Sequence, residues 1–588
     1  MIEFTNEQRD YIESDIDACV FLEACPGSGK TEVVAAKVAT EIRNWNKFPG
    51  GMAVLSFSNS ATDELKARVT KHMPSGYGFF PHFLGTFDSF IYKNIVNPLS
   101  TDLTGYDGEG GDCSIRLVDS SSDFFGFRTK YGIAKQGIIY AHQFSINVKD
   151  NTLEFSTGDS KKDRILNSYS FEDWQIKDLW NAKNNMLSCG FATYGDIEFL
   201  AIKALCDEKY ELFFQTLAKR WPLIYIDECQ DLCTEQLMIM ERLIDFGAKV
   251  HFVGDLNQAI YGFRDVDPLA VKEFADKNSF LSLKLISNFR SCQKIIDLCG
   301  NLVGVDNIVG RLTQLEPTCY VVQYEKCPTE LIDIFEHLCD GFDETVLVSR
   351  GRALLARFNT SNRDLKPVHK LALSISIFSA ENMQSLKDSL SLFSEFIRFY
   401  LKECVKPNSF NCPQCVDSSR EWRAFLLSAI THLKSKGFDD LDKTWSSWVS
   451  AIKPEIQSLC SNLFLSEEFG DVLSPLEGVN LRSPKGEAMR NVAESLGNKT
   501  SSQKIKRKAT IHGAKGETHD VTILLSNPDA RGQPGSHWKS WLKDPSSEAA
   551  RFAYVASSRP KHRLVWAVKK LDKPEKEAFT SLGFHFFP

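Results

Sequence analysis

The sequence predicts an α/β protein with parallel sheets, and three observations support this fold class. Short apolar runs alternate with helical patterns, as where DACVFLEA precedes TEVVAAKVATEIRNW and GMAVLSFS precedes SATDELKARVTKHM. A loop of small residues joins the first apolar run to its helix. The alternation returns after two long interruptions, at WPLIYIDECQDL and at KATIHGAKGETHD. Strands that alternate with helices in this way are typical of parallel sheets.

The order of these signals divides the chain into two α/β cores, each interrupted by a mainly helical insertion. A chain of 588 residues is long enough for about three to five domains. The loop-rich stretch STDLTGYDGEGGDCS opens the first interruption, and SLKDSLSLFSEFIRFYLKECV shows the helical period of the second. The predicted segments are a first core at 1–95 and 200–283, its insertion at 96–199, a second core at 284–364 and 500–588, and a reduced insertion at 365–499.

Composition and charge limit the class of protein. Hydrophobic residues make up 43% of the chain and charged residues 25%, as in ordinary soluble globular proteins. The net charge of -7 argues against a surface coated in positive charge, but a local basic groove for nucleic acid is compatible with it. The first residues are acidic and polar, unlike a signal peptide, and no apolar run is long enough to span a membrane. The 16 cysteines are dilute, so we expect a cytoplasmic protein with reduced thiols and no membrane partner.

The loop after the first apolar run has the pattern of a phosphate-binding loop. Its small residues let backbone N–H groups point at phosphate oxygens, and the following helix adds its positive N-terminal end. Lys30 would reach the β- and γ-phosphates of ATP, and the Thr31 hydroxyl would bind Mg²⁺. Ala24 stands where the strict pattern has glycine, and a tight turn without a ligand is the alternative. The predicted nucleotide-binding residues here are Ala24, Cys25, Pro26, Gly27, Ser28, Gly29, Lys30 and Thr31.

The stretch IYIDECQD supplies a second half for such a site. Its apolar run delivers Asp227 and Glu228 at the end of a predicted strand. Asp227 can hold Mg²⁺, and Glu228 can orient and deprotonate an attacking water. Adjacent carboxylates on their own are more often a solvated acidic turn, but the phosphate-binding loop makes the catalytic interpretation the stronger one.

These elements and several others occur in the order found in superfamily 1A DNA helicases of the UvrD/Rep/PcrA type, which the chain resembles. The resemblance implies two RecA-like cores that hydrolyse ATP with Mg²⁺ in the cleft between them. The motifs that carry it are FTNEQ at 4–8, FSNSATDELKARV at 57–69, GTFDSF at 85–90, VGDLNQAIYGFR at 253–264, NFRSCQKII at 288–296, TIHGAKGETHD at 510–520 and YVASSRPKHRL at 554–564.

The resemblance implies a role for each nucleotide-contacting residue outside the loop. Gln8 would read adenine, Phe289 would stack on it, and Glu517 would bind the ribose, although it stands one position early for that acid. The γ-phosphate would be contacted by Gln258 from the first core and by Arg290 and Arg559 from the second. Guanidinium groups suit the charge that develops in phosphoryl transfer. A surface ion pair is the alternative for any one arginine taken alone.

The resemblance also implies a path for single-stranded or partly duplex DNA. Aromatic rings suit such a path because they stack on any base, which contributes about 1–3 kcal/mol each. Buried core packing is the alternative for these rings. The residues that match the path are Phe57, Asn59, Thr86, Tyr261, Phe263, Arg264, Thr510 and His512.

Several features depart from the family pattern or add to it. Asp88 stands where the family commonly has histidine, and KGETHD replaces the typical KGLEF. The basic stretch KIKRK at 504–508 is either a phosphate contact or a solvated linker. Cys404, Cys412 and Cys415 include a CxxC pair, for which reduced structural thiols are favoured over zinc because no further ligand pair is evident.

The sequence therefore predicts an ATP-dependent single-stranded-DNA translocase or DNA helicase. The resemblance implies movement from 3′ to 5′. The alternative is a DNA-sensing ATPase subunit, because a small chain with KGETHD also resembles the helicase-like subunit (GajB-like) of Gabija-type antiphage systems. That subunit works beside an OLD-family nuclease, so the alternative implies a nuclease partner protein. A scaffold without activity is disfavoured because the expected catalytic residues are all present.

Overall fold

The computed structural model forms two compact units. The first unit comprises 1–322, 511–566 and 571–588, and the second comprises 323–510 and 567–570. The structure describes residues 3–73, 78–119, 126–147, 152–262, 266–313, 318–358, 365–380, 383–401, 410–413, 416, 418–459, 472–497, 504–530 and 533–587.

A parallel six-stranded sheet organises the first unit. Neighbouring strands keep a regular register, with Leu22 opposite Val253 and Leu283, and Val54 opposite Tyr225. The strands in spatial order are β10 (Leu281–Leu285), β1 (Val20–Ala24), β9 (Lys249–Gly254), β8 (Leu223–Asp227), β2 (Met52–Ser56) and β3 (Phe83–Thr86).

Both faces of the central strands are buried, which explains why β2 and β8 are mostly apolar rather than alternating. Successive side chains of a strand point to opposite faces. Residues such as Phe21, Leu55, Ile226 and Phe252 therefore contribute to one core cluster. Their neighbours Leu22, Val54, Tyr225 and Val253 contribute to another. A parallel sheet covered on both faces brings the ends of its strands, and the loops after them, to one edge.

Helices cover the sheet and continue into the middle segment. Most begin at a capping side chain, as where Thr5 and Gln8 form a capping box. The helices of the first unit are α1 (Asn6–Ile12), α2 (Lys30–Asn44), α3 (Asn59–His72), α4 (Phe87–Ile91), α5 (Ser100–Thr104), α6 (Ser160–Asn167), α7 (Asp173–Ser188), α8 (Tyr194–Leu205), α9 (Glu211–Arg220), α10 (Thr234–Asp245), α11 (Pro268–Lys277), α12 (Gln293–Val303), α20 (Trp538–Trp541), α21 (Glu548–Ser557) and α22 (Lys573–Ser581).

The middle segment contains a buried ion pair. Lys183 on α7 donates to the Asp196 carboxylate on α8 at 2.9–3.0 Å, and both side chains are almost completely buried. Asp196 also accepts from the backbone and hydroxyl of Thr193. Short strands accompany these helices: β4 (Arg116–Leu117), β5 (Phe144–Ile146), β6 (Leu153–Phe155) and β7 (Phe191–Ala192).

Further strands follow the first sheet along the chain. β11 (Ser287–Cys292) pairs with β12 (Val309–Arg311). The second six-stranded sheet consists of β13 (Cys319–Tyr324), β14 (Thr345–Ser349), β15 (Arg507–Thr510), β16 (His519–Leu525), β17 (Pro560–Lys569) and β18 (His585–Phe586). In the first unit β18 pairs in parallel with β13, and in the second unit β15 pairs in parallel with β14.

Helices build the rest of the second unit. Their core is rich in tryptophan, since Trp422, Trp445 and Trp448 are fully buried in one cluster. Lys504 pairs with Asp340 in this unit. The helices are α13 (Ile332–Leu338), α14 (Arg352–Ala356), α15 (Pro367–Ile377), α16 (Met383–Tyr400), α17 (Ser419–Ser435), α18 (Trp445–Gln457) and α19 (Val492–Gly497).

The predicted fold class is confirmed, because the structure contains two parallel six-stranded sheets and many helices, as two RecA-like cores require. Within the described ranges, every helix is too short or too polar to cross a membrane. Cys412 is buried, whereas Cys404 and Cys415 lie outside the described residues.

We expect Lys183→Met to destabilise the first unit, because it leaves the buried Asp196 carboxylate without its cation. Removing one partner of a buried ion pair costs about 3–5 kcal/mol. The exposed pair of Lys209 and Asp102, 2.9 Å apart, offers a matched control, and Lys209→Met should leave the unfolding midpoint unchanged. Urea unfolding followed by circular dichroism measures both variants. Equal midpoints would contradict the expectation.

Candidate nucleotide and DNA site

The loop between β1 and α2 is shaped by two glycines in left-handed conformation. Gly27 has φ +67°, and Gly29, the residue just before α2, has φ +79°. The Cys25 N–H donates to Leu285 O at 3.0 Å, which ties the loop to the edge of the sheet. A Cβ added at Gly27 would lie 2.6 Å from Arg290 Cβ, so the close approach requires glycine there.

Strand β11 is bonded directly to this loop. The Phe289 N–H donates to Gly27 O at 2.9 Å, and the Asn288 side chain donates to Pro26 O. Asn288 Oδ1 in turn accepts the N–H group of Arg290 at 2.8 Å. The segment that carries Arg290 is therefore fixed to the loop by its backbone and by a buried asparagine.

Lys30 and Glu228 form an ion pair at the centre of the site, with Nζ and Oε1 2.9 Å apart. Burial alone would lower the pKa of Lys30, but the Glu228 and Asp227 carboxylates outweigh it and raise that pKa. Burial alone would raise the pKa of Glu228, but the Lys30 and Lys515 ammonium groups hold it below its usual value. Burial, and then the neighbouring Glu228 charge, raises the pKa of Asp227. Glu228 is therefore the stronger acid of the two carboxyl groups.

Arg559 reaches Gln258 in a second buried network. Its Nη2 donates to Gln258 Oε1 at 2.6 Å, and Gln258 Nε2 donates to Asp255 at 2.8 Å. The Tyr554 hydroxyl also donates to Asp255, at 3.1 Å. Burial and then the Arg559 charge lower the pKa of Arg290 to about 9. Two guanidinium groups thus lie close enough to repel, an arrangement that an anion would relieve.

One cavity of about 280 Å³ is lined by most of the residues predicted to bind or hydrolyse the nucleotide. Gly516 and Thr518 line it in the segment where the sequence favoured Glu517, and Glu517 instead pairs with His519 at 3.1 Å. The predicted residues that line the cavity are Cys25, Pro26, Gly27, Gly29, Lys30, Thr31, Asp227, Glu228, Gln258, Arg290 and Arg559.

Two further predicted residues lie beside the phosphate loop. The Gln8 amide donates to Ser28 O at 2.9 Å, and its carbonyl accepts from the Thr5 N–H at 3.0 Å. One amide hydrogen and one lone pair remain for a base. Phe289 is 50% exposed, so its ring face is available for stacking.

The predicted DNA-contacting residues fall into different surroundings. Phe57 is half-buried and stacks on the core residue Phe87 with ring centroids 6.3 Å apart. The Thr86 hydroxyl caps α4 by accepting from Ser89 N at 3.1 Å. Asn59 is exposed at the start of α3, and Thr510 ends β15 in the second unit.

Tyr261 and His512 lie together, with ring centroids 5.4 Å apart. His512 Nε2 is also 2.9 Å from Ile260 O. Phe263 and Arg264, which the sequence predicts as DNA contacts, lie outside the described residues.

The structure adds charged residues that the sequence reasoning missed. Arg68 lines the cavity and pairs with Glu32 at 2.6 Å and with Glu64 at 2.7 Å. Lys515 pairs with Asp231 at 2.5 Å, although the two are separated by 284 residues in sequence. The only sequence signal for the second pair is that each member lies inside a motif already identified for other residues.

Thr31 and Asp227 fit a magnesium ion. Both line the cavity, and a hydroxyl and a carboxylate are the hard oxygen donors that Mg²⁺ prefers. Burial and then the Glu228 charge raise the pKa of Asp227, and a bound cation would offset both effects.

Known proteins that are similar in sequence to this chain include DNA helicases. Residues 4–279 match the family model described as UvrD/REP helicase N-terminal domain. The chain is 24% identical to DNA helicase II of Haemophilus influenzae over 307 residues, which cover 51% of this chain and 40% of that protein. It is 24% identical to the ATP-dependent DNA helicase PcrA of Bacillus subtilis over 298 residues, or 49% of this chain and 38% of that protein.

A relative with a different printed name is also similar. The chain is 25% identical to Gabija protein GajB of Bacillus cereus over 283 residues, which cover 47% of this chain and 44% of that protein. The chain thus spans less than half the length of these curated relatives. The matched part of the chain is thus similar to UvrD-like superfamily 1 helicases, as the sequence motifs predicted.

We expect Gly27→Ala to weaken binding of a fluorescent ATP analogue by about tenfold or more, because backbone strain and the contact with Arg290 act together. Gly304→Ala is the matched control, since Gly304 has φ +70° but nothing within 4 Å of an added Cβ. Titration followed by fluorescence anisotropy gives both affinities. Equal affinities would show that the close approach at Gly27 does not matter for nucleotide binding.

Proposed function

We propose that this chain is an ATP-dependent DNA helicase or translocase that acts on single-stranded or partly duplex DNA. One observation carries the proposal: a single cavity beside the loop is lined by Lys30, Asp227, Glu228, Gln258, Arg290 and Arg559. A cation on the loop, two carboxylates at a strand end and two guanidinium groups are what phosphoryl transfer from ATP requires.

Glu228 serves as the general base in this proposal. Nearby ammonium groups keep its pKa low although burial opposes them, so the carboxylate is ionised at neutral pH and can accept a proton from water. Lys30 shifts from Glu228 to the phosphates of the substrate. Thr31 and Asp227 would hold Mg²⁺, which supplies positive charge for the phosphate oxygens.

Arg290 and Arg559 stabilise the charge that develops on the γ-phosphate. Arg559 is almost completely buried, and its contact with Gln258 orients its guanidinium group. Preorganised donors of this kind need no rearrangement as charge develops. Both arginines lie in segments that follow the first sheet along the chain. Their contact with the γ-phosphate would therefore couple nucleotide state to closure of the cores.

Movement along DNA in the 3′ to 5′ direction is the finer part of the proposal, and it rests on resemblance. Helicases named DNA helicase II, Rep and PcrA are among the similar proteins. Stepping would follow from alternate closing and opening of the ATP site while rings such as Tyr261 hold the bases.

A second candidate function is favoured by similarity to the Gabija protein. The chain would then be a DNA-sensing ATPase subunit of an antiphage complex that acts with an OLD-family nuclease. The KGETHD variant of the motif at 515–520 supports this candidate. The two functions share the ATP site and differ in whether the chain needs a partner protein.

We expect single-stranded DNA to stimulate ATP hydrolysis, and Glu228→Gln to lower kcat by about 10²–10⁴-fold because the general base is lost. Lys30→Ala should abolish turnover by removing the phosphate contact. Glu241→Gln is the control, since Glu241 forms a partly exposed pair with Lys277. A coupled phosphate-release assay measures all four proteins. Turnover by Glu228→Gln equal to that of the unmodified protein would refute the proposed base.

We expect a partial duplex with a 3′ tail to be unwound and one with a 5′ tail to remain intact, because 3′ to 5′ movement carries the motor toward the junction only from a 3′ tail. Strand displacement followed by fluorescence dequenching measures this. No turnover by the chain alone, together with ATP turnover when a co-expressed OLD-family nuclease is present, would favour the second candidate instead.

A further inference from the structure

The ammonium group of Lys515 is shared between a carboxylate and an aromatic ring. Its Nζ is 2.5 Å from Asp231 Oδ2 and 4.8 Å from the centroid of the Tyr261 ring. The side chains of Lys515 and Asp231 are only 10% and 5% exposed. The cation therefore lies in a poorly hydrated position between Asp231, in the turn after β8, and Tyr261, a predicted DNA contact.

Asp231 is coupled directly to the proposed general base. Its N–H donates to Glu228 O at 2.9 Å in the single turn Cys229–Asp231, which follows β8. Glu228 itself has φ +59°, a strained left-handed conformation that costs on the order of 1–3 kcal/mol. A displacement of Asp231 would thus act on a strained residue through one backbone hydrogen bond.

Asp231 depends on Lys515 for its charge. Its second oxygen, Oδ1, is buried and has no hydrogen-bond partner within the described part of the chain. Burial raises the pKa of Asp231 to about 6, and Lys515 is the main charge that opposes the rise. Moving Lys515 away from Asp231 would therefore leave a buried carboxylate without its cation, which costs free energy.

The segment that carries Lys515 also contacts Tyr261 through His512. The turn His512–Ala514 directly precedes Lys515, and the His512 ring lies 5.4 Å from the Tyr261 ring. The Tyr261 ring is thus contacted by the His512 imidazole and by the Lys515 ammonium, which are three residues apart in sequence. A strand bound at Tyr261 would bring phosphate groups, which compete with Asp231 for the same ammonium.

We propose that Lys515 is a positioning residue that transmits DNA occupancy at Tyr261 to Glu228 through Asp231. The inference rests on the proposed function. With DNA absent from Tyr261, Lys515 is bonded to Asp231 and the turn keeps Glu228 paired with Lys30. A bound strand draws the ammonium toward its phosphates, and the turn that bears Glu228 relaxes. Lys515 thereby makes hydrolysis responsive to DNA.

Lys515→Met tests the inference, because it removes the cation and keeps the length of the side chain. We expect the stimulation of kcat by single-stranded DNA to fall at least about fivefold, a typical size for coupling between two sites. The KM for ATP should stay within about twofold, since Lys515 acts through Asp231 and Tyr261. The Kd for DNA should rise modestly because one phosphate contact is lost, so stimulation is compared at saturating DNA. Lys515→Arg should restore stimulation.

Asp231→Asn provides a second route that does not alter Lys515. It should reduce stimulation as Lys515→Met does, and the double variant should be no worse than either single variant, as expected for one pathway. Lys370→Met is the matched control, because Lys370 also forms a half-buried ion pair, 2.7 Å from Glu395. Melting temperatures establish that each variant is folded.

Three results would overturn the inference. Full stimulation of Lys515→Met would show that the cation transmits nothing. A tenfold loss of DNA affinity with the stimulation ratio intact would make Lys515 a simple DNA ligand. An unmodified protein whose ATP turnover does not respond to DNA would remove both this inference and the DNA-stimulated function. That last outcome is separate from the first two, in which the unmodified protein responds.

Discussion

Balanced burial of charge is the constraint on which the candidate site depends. Four cations, from Lys30, Arg290, Lys515 and Arg559, share the region with the carboxylates of Asp227, Glu228, Asp231 and Asp255. Each charge would be costly in a poorly hydrated place without an opposite partner. Pairing with Glu228 and Asp231 gives Lys30 and Lys515 defined positions before a nucleotide binds, and the contact with Gln258 orients Arg559. An incoming polyphosphate then competes for cations that are already oriented, which is the preorganisation that phosphoryl transfer needs.

The glycine at position 27 makes this arrangement sterically possible. Because it lacks a side chain, strand β11 approaches until Phe289 N–H bonds Gly27 O, and Arg290 follows at the edge of the cavity. A loop that only cradled phosphate would need small residues for the ligand. Here the small residue also admits a neighbouring strand, so one position would serve the proposed phosphate binding and also brings Arg290 to the cavity.

The sequence was sufficient for the parts of the molecule that are local in the chain. Alternating apolar runs and helical periods predicted the parallel sheets, and the loop motif predicted where α2 begins. Pairs that span long separations carry no local period. Lys515 with Asp231 and Arg68 with Glu32 therefore became visible only in three dimensions. The sequence pattern also did not decide which of two adjacent residues lines the cavity. Thr518 lines it, whereas Glu517 pairs with His519. The roles predicted for the site residues stay predictions.

The bond between Lys30 and Glu228 has a consequence for the timing of hydrolysis. While the ammonium neutralises Glu228, this carboxylate is a weak acceptor for a proton from water. Phosphates that draw Lys30 away would expose the carboxylate when substrate is present, so the proposed base would become effective only with nucleotide bound. Glu228 meanwhile keeps a strained backbone, held in part by the turn through Asp231. Two cations, Lys30 from the loop and Lys515 from the segment before β16, thus act electrostatically on one carboxylate. One responds to nucleotide, and the other lies where it can respond to the strand.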